Sequence, residues 1–186
     1  RLRRRQRVEA RIEEILDLKM RINIVPHMGL SREHGIESFL SVDLLDLHID
    51  QDNLLYRSNR ARFSLAHETG HLVLHRDYIK SVQIETIEDW KEIILGRGTG
   101  HAVLETQANM FANLLLMPTD LLEKEFEKVK REVKLHPIFE SRALPDDVTL
   151  APFIAKKMGQ IFNVSEEVAQ YRLINWITSR KRLIVG

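Results

Sequence analysis

The sequence predicts an α+β fold in which a small β-sheet packs on helices. Two observations indicate this class: residues 21–62 hold short segments with strand-like alternation, and from residue 62 onward apolar residues recur at helical spacing. A length of 186 residues is typical of one domain. We therefore expect a single domain over residues 1–186, with its core at about residues 8–135 and a helical tail at about residues 150–182.

The first predicted elements are short. Residues 8–20 have the pattern of an amphipathic helix. Its apolar residues cluster loosely on one side: Val8, Ile12, Ile15, Leu16 and Leu18. Alternation predicts strands at residues 21–26 and 46–50, and residues 53–57 are a third candidate strand.

A longer helix is predicted at residues 62–77. One apolar stripe runs along it, formed by Phe63, Ala66, Gly70 and Val73. Glycine costs a helix about 1 kcal/mol relative to alanine. We therefore expect another element to pack closely against Gly70.

The rest of the chain is predicted to be mostly helical. Residues 102–117 form an unusually apolar helix that ends at Pro118, and we expect this helix to be largely buried. Ser165 is a predicted N-cap. The remaining elements are a partly helical segment at 81–95, a glycine-rich break at 96–100, a loop at 136–149 and helices at 121–135, 151–162 and 165–180.

Composition excludes several classes of protein. Cysteine is absent, which removes disulfide frameworks, thiolate metal sites and a cysteine nucleophile. No apolar run approaches the roughly 18 residues of a membrane span, and no signal-peptide pattern opens the chain, so we expect a cytoplasmic protein with no membrane partner. Residues 1–11 carry a net charge of +5, which leaves the rest of the chain at −4. Because this body is slightly acidic, direct nucleic-acid binding is not expected.

The most informative motif is His-Glu-x-x-His at His67, Glu68 and His71. On a helix, positions i and i+4 lie about 40° apart around the axis and about 6 Å along it, so both imidazoles can reach one metal ion. Glu68 can then reach a water on that metal, as the base of a zinc-dependent peptidase does.

A catalytic zinc usually has three protein ligands, and three residues are candidates for the third. Glu105 is favoured, because it is the single charged residue of an apolar helix, where an unpaired carboxylate is costly. Asn109, one turn further, is placed to hydrogen-bond a ligating histidine. Asp77 stays open, although Leu74 replaces the glycine that a metzincin turn requires. His75 lies about 12 Å along the axis from His67, too far to share its ion.

Two linked segments carry a resemblance to a known family. They are Arg62-Phe-Ser-Leu-Ala-His-Glu-Thr-Gly-His-Leu-Val-Leu-His75 and Glu105-Thr-Gln-Ala-Asn-Met-Phe-Ala-Asn-Leu-Leu-Leu-Met-Pro118. The chain resembles the ImmA/IrrE metallopeptidases, or minigluzincins, over about residues 60–120. The resemblance implies a zincin-like fold with a sheet beside the active-site helix and a glutamate helix across it.

The resemblance also implies function. Zn2+ would be held by His67, His71 and Glu105, and Glu68 would activate the zinc-bound water as general base. The implied activity is an intracellular endopeptidase that cleaves a specific regulatory protein, such as a helix-turn-helix repressor. The alternative is a non-catalytic metal-containing docking module for a repressor or a toxin–antitoxin partner. A di-iron bundle would need a second Glu-x-x-His, and the chain has none.

Some features depart from the family or stay open. Thr69 replaces a leucine or isoleucine, and Gln107 stands where many members have an acidic residue. Tyr78 and His101 are the candidates for stabilising the oxyanion. Residues 154–173 resemble a helix-turn-helix in spacing, but acidic residues open the second helix, which favours packing over DNA reading.

Overall fold

The computed structural model of the protein describes residues 11–81, 100–137 and 143–185, with side chains as far as residue 180. Residues 11–115 form one compact unit, and the chain from residue 116 onward contributes to a second. The predicted α+β class is confirmed, while the single-domain boundaries stay a prediction. Within the described residues, no helix has both the length and the apolar character that a bilayer crossing requires.

A three-stranded sheet lies in the first unit. Strands β1 (Asn23–His27), β2 (Ser38–Leu40) and β3 (Asp46–Asp50) have the order β1-β3-β2, with β1 parallel and β2 antiparallel to β3. Leu47 and Ile49 of β3 are fully buried, as period-two alternation requires. Two of the strands match predicted segments, whereas β2 is too short to show a pattern.

The predicted strand at residues 53–57 is wrong, because this segment is helical. The Asp50 carboxylate caps α3 (Gln51–Tyr56), accepting hydrogen bonds from the backbone N–H of Asn53 at 3.0 Å and of Ser31 at 2.9 Å. A cap of this kind outweighs weak strand propensity. Burial alone would raise the pKa of Asp50, but these backbone donors outweigh burial and lower it.

The predicted amphipathic helix at 8–20 is present from residue 12. It begins as α1 (Ile12–Glu14) and continues as a π-helix over Ile15–Met20. Ile12 and Leu16 are fully buried, but Leu18 is 73 % exposed. The wider π-helical turn changes which residues share a face, and this is why Leu18 departs from the predicted apolar side.

Further helices of the first unit follow a short α2 (Leu30–His34). They are α4 (Ser58–Leu74), α5 (Arg76–Ser81) and α6 (His101–Leu116). The predicted helix at 62–77 is therefore present but broken at His75. Val73 lies in the last turn of α4 and is 54 % exposed, so its predicted core position is wrong. The predictions for 82–99 fall outside the described residues, and Gly100 is in a turn with φ +94°.

The α6 helix is less buried than its composition predicts. Ala108, Ala112 and Leu116 are fully buried, at four-residue spacing. The opposite side carries Met110 at 54 % and Leu114 at 49 % exposure. The expectation of a largely buried helix is wrong, because the fully buried residues lie on one face of the helix only.

Three helices make up the described part of the second unit. They are α7 (Thr119–Lys134), α8 (Asp147–Phe162) and α9 (Glu166–Val185). The predicted N-cap is confirmed, since Ser165 Oγ accepts the N–H of Val168 at 3.2 Å. In the core, the rings of Phe126 and Trp176 meet edge to face at 5.2 Å.

Arg172 of α9 binds the short segment that precedes and begins α7, within the second unit. Its Nε donates to the Met117 carbonyl at 3.2 Å, and its Nη2 donates to Thr119 Oγ1 at 2.9 Å. The side chain is buried, and burial lowers its pKa. Arg172 thus supplies a hydrogen-bond donor to the backbone carbonyl of a fully buried residue.

Candidate metal centre

The α4 helix presents His67, Glu68 and His71 to one side of the first unit. His67 and His71 are one turn apart, and their Nε2 atoms lie 3.0 Å from each other. Their rings meet nearly edge to face, with centroids 4.7 Å apart. The helix therefore fixes two imidazole nitrogens at one point, as the spacing predicts.

Glu105 reaches the same point from α6. Its Oε2 lies 3.2 Å from His67 Nε2, and its Oε1 lies 3.1 Å from His71 Nε2. The two helices approach closely at Gly70, where an added Cβ would stand 3.0 Å from the Ala108 Cα. The close packing predicted at Gly70 is present, and it brings the carboxylate to the histidines.

The three side chains have the spacing of a metal site. Their donor atoms lie within 4.8 Å of one another, and the closest pairs are separated by 3.0–3.2 Å. Two ligands of a tetrahedral zinc with bonds of about 2.0 Å are about 3.3 Å apart. Two imidazole nitrogens and a carboxylate oxygen therefore fit zinc in chemistry and in geometry. Asp77, the open alternative, is exposed on α5 and is not part of this group.

Asn109 fixes the orientation of the first histidine. Its Oδ1 lies 3.0 Å from His67 Nδ1. An amide oxygen only accepts hydrogen bonds, so His67 Nδ1 carries the proton and His67 Nε2 keeps a lone pair. The hydrogen bond that the sequence predicts for Asn109 is present. It turns the His67 lone pair toward His71 and Glu105.

The charged side chains of the cluster change one another's pKa values. Burial alone would raise the pKa of Glu105, but the two neighbouring histidines outweigh burial and lower it far below its usual range. Burial alone would lower the pKa of His67, but Glu105 and Glu68 outweigh burial and raise it. The site therefore favours an ionised carboxylate next to positive charge, which a cation would provide.

Glu68 is buried beside the cluster. Ser38 Oγ donates a hydrogen bond to Glu68 Oε1 at 2.8 Å, and the residue is only 7 % exposed. Burial raises the pKa of Glu68, and the nearby histidines and Ser38 only partly offset this effect. A carboxylate with a raised pKa is suited to accept a proton near neutral pH.

These residues line a cavity of about 330 Å³. Its walls include the three cluster residues, Glu68 and the whole of β2. Tyr78 and His101, the predicted oxyanion candidates, also line it. His101 Nε2 lies 3.4 Å from Glu105 Oε1, so this side chain is adjacent to the cluster.

Two contacts of the site were not predicted. Ser38 contacts Glu68 across 30 residues of sequence. Gln107 contacts His75 across 32 residues, with 2.9 Å between Oε1 and Nε2. No local signal indicates either contact, because each depends on how distant elements pack. The sequence showed only that Gln107 departs from the acidic residue of the family pattern, and this departure does not indicate a partner.

A His-Glu-x-x-His helix that meets a glutamate from a second helix beside a small sheet is the arrangement of zincin-like metallopeptidases. A family model described as the IrrE N-terminal-like domain, peptidase family M78, matches residues 53–174. The chain belongs to this peptidase family, which confirms the resemblance seen in the two linked segments. No curated protein and no solved structure gives a significant match.

Proposed function

We propose that this protein is a zinc-dependent endopeptidase. His67, His71 and Glu105 would hold the metal, and Glu68 would act as general base. The observation that carries the proposal is the convergence of two imidazole nitrogens and the Glu105 carboxylate, with distances of 3.0–3.2 Å, beside a buried glutamate. Membership of a peptidase family supports it.

The donor set favours zinc over harder cations. Magnesium and calcium prefer oxygen ligands, whereas imidazole nitrogens suit zinc. With three protein ligands, the ion would keep one position open. When bound, zinc would supply a Lewis acid that lowers the pKa of a water and polarises the carbonyl of the scissile bond.

Glu68 would carry the proton transfer. Its carboxylate accepts a proton from the attacking water and then gives that proton to the leaving amine. Ser38 holds Oε1 through a hydrogen bond, which leaves Oε2 for the water. A peptide bond is broken, one water is consumed, and Glu68 returns to its starting state.

The edge of the sheet offers a place for the substrate. In the sheet of the described residues, β2 is an edge strand that lines the cavity. Asp50 N–H donates to the Glu37 carbonyl, and Ser41 N–H donates to the Asp46 carbonyl. Alternation along β2 therefore directs the backbone groups of Ser38 and Leu40 away from β3. An extended peptide can pair with these groups next to Glu68.

We therefore propose that the substrate is an extended segment of a protein. From the family resemblance, a helix-turn-helix repressor is the candidate. Two cavity residues, Tyr78 and His101, are placed to donate to a developing oxyanion. The resemblance implies a repressor that is encoded by a neighbouring gene. Such a repressor, once purified, should be cut at one site, and that cut should be lost on chelation of the metal.

Metal analysis and one variant test the proposal. The purified protein should contain about one zinc per chain. Glu68→Gln should keep the zinc and lose cleavage, because the amide cannot accept the proton. If the protein binds no zinc even after incubation with zinc, the peptidase mechanism is excluded and a docking module is favoured. If Glu68→Gln still cleaves the substrate, Glu68 is not the base.

A matched pair of carboxylate variants tests the third ligand. Glu105→Ala should weaken zinc binding strongly, while Asp77→Ala should leave the affinity within about twofold, since Asp77 is exposed outside the cluster. The measurement is competition with a chromophoric chelator. The reverse order of the two affinities would move the third ligand to Asp77.

A further inference from the structure

His75 lies behind the second histidine of the cluster. The residue follows the last turn of α4, and its backbone N–H donates to the His71 carbonyl at 2.9 Å. Its side chain turns back into the protein and is only 5 % exposed. A buried histidine has two ring nitrogens that need partners.

Both ring nitrogens of His75 have such partners. Nδ1 lies 3.0 Å from His71 Nδ1, and Nε2 lies 2.9 Å from Gln107 Oε1. The contact with His71 is therefore on the side of that ring away from Glu105, whose carboxylate faces His71 Nε2 at 3.1 Å. His75 is not placed to be a ligand, but it is placed to act on one.

The direction of each hydrogen bond follows from the amide oxygen of Gln107. Oε1 can only accept, so His75 Nε2 carries a proton. A neutral His75 then has a lone pair on Nδ1, and this atom accepts from His71 Nδ1. His71 Nε2 is left with a lone pair directed at the cluster. Each step fixes the next, from Gln107 to the atom that faces the metal position.

We propose that Gln107 and His75 form a two-step relay that sets the tautomer and ring orientation of His71 for metal binding. The inference rests on the proposed function, since it assigns a role toward the same zinc. In this relay His75 and Gln107 are positioning residues. They would affect cleavage only through the affinity and geometry of the metal.

The relay gives α6 a wider role than supplying one ligand. Asn109 of α6 orients His67 directly, while Gln107 of the same helix orients His71 through His75. One helix therefore provides the carboxylate and both orienting groups. Loss of an orienting partner commonly costs about 10–100-fold in metal affinity.

Zinc affinity at one fixed pH tests the relay without reference to activity. His75→Leu should weaken zinc binding by about 10–100-fold. His75→Gln should stay within about threefold of the parent, because an amide oxygen can still accept from His71 Nδ1. His34→Gln, at an exposed position on α2, is the control and should leave the affinity unchanged.

A second variant covers the case in which His75→Leu does not fold. Gln107 is exposed on its own helix, so Gln107→Leu should fold, and it should weaken zinc binding by about three- to tenfold, less than the loss of His75 itself. Circular dichroism of the metal-free proteins shows which variants are folded. The absorption spectrum of the Co2+ form should change for His75→Leu and Gln107→Leu, because the ligand ring is no longer held.

The outcomes separate the relay from the proposed function. A parent protein that binds no zinc overturns the metal site and the relay with it. A parent that binds zinc, together with folded His75→Leu and Gln107→Leu of equal affinity, overturns the relay alone. Equal weakening by His75→Gln and His75→Leu also overturns it, since the restored acceptor would then have no effect.

Discussion

Replacing Gly70 with alanine tests the helix contact that brings Glu105 to the two histidines. The added Cβ would meet the Ala108 Cα at 3.0 Å, the Ala108 carbonyl oxygen at 3.1 Å and the Phe111 Cβ at 3.2 Å, where ordinary contacts begin at about 3.4 Å. Two of these atoms belong to the backbone of α6 and cannot rotate away. The α6 helix must therefore retreat from α4 by a few tenths of an ångström.

Two opposing free energies decide the effect on stability. Alanine in place of glycine stabilises a helix interior by about 1 kcal/mol. Overpacking of a tight contact costs about 1–3 kcal/mol. We expect Gly70→Ala to lower the free energy of unfolding by about 0–2 kcal/mol, the difference between these values.

Gly70→Ala should affect zinc affinity more than it affects stability. A zinc site tolerates ligand displacements of about 0.2 Å, and the retreat of α6 would carry Glu105 and both orienting groups with it. We expect zinc affinity to fall by about tenfold or more, as it does when ligand orientation is lost.

Urea unfolding of the metal-free protein and chelator competition for zinc measure the two effects. Val73→Ala is the matched control, because Val73 is on the same helix, carries no clash and is 54 % exposed. It should leave zinc affinity unchanged. A Gly70→Ala variant that is about 1 kcal/mol more stable than the parent and binds zinc equally well would refute the close approach of α4 and α6.

Three further substitutions test individual hydrogen bonds. Ser38→Ala should keep zinc and KM but lower kcat by roughly 10- to 100-fold, because a hydrogen bond to a charged group is worth about 1.5–3 kcal/mol. Ser41→Ala should leave kcat unchanged, and equal kcat values for the two variants would show that Ser38 does not position Glu68. Asp50→Ala should lower the free energy of unfolding at pH 7 by about 1–2 kcal/mol. The pKa of Asp50 is lowered in the folded state. Its stabilising contribution is therefore present above the unfolded pKa of about 3.9 and is lost as pH falls through the folded pKa. The free energies of unfolding of the parent and the variant should therefore become equal in urea titrations at acid pH. Arg172→Leu should cost about 1–3 kcal/mol in the same titration at pH 7. Lys157→Leu, which removes an exposed ion pair with Glu132, should cost less than about 1 kcal/mol. Equal costs would contradict the role of Arg172 in holding Met117 and Thr119.

The sequence predicted the long helices well and the short elements less well. Helices such as α4 and α6 carry several turns of periodic pattern, so the sequence alone is enough to predict them. Residues 53–57 have too few positions to separate a strand from a helix, and the Asp50 cap decides between them. The strand β2 is three residues long and exists only through its pairing with β3.

The local geometry of the site was contained in the sequence. His67, Glu68 and His71 share little more than one helical turn, and helix geometry alone fixes their separation. Glu105 and Asn109 were also recognised, because an isolated carboxylate on an apolar helix requires a partner, and the second segment linked to the first indicated the family.

The tertiary structure alone decided which residues support these side chains. Ser38 reaches Glu68 because the edge strand lies beside α4, and His75 reaches Gln107 because α4 breaks where α6 passes. These hydrogen bonds join residues 30 and 32 positions apart. Periodicity indicates which face of an element is apolar. It does not indicate which atoms of two elements come into contact when those faces pack, and these contacts orient the ligands and the base.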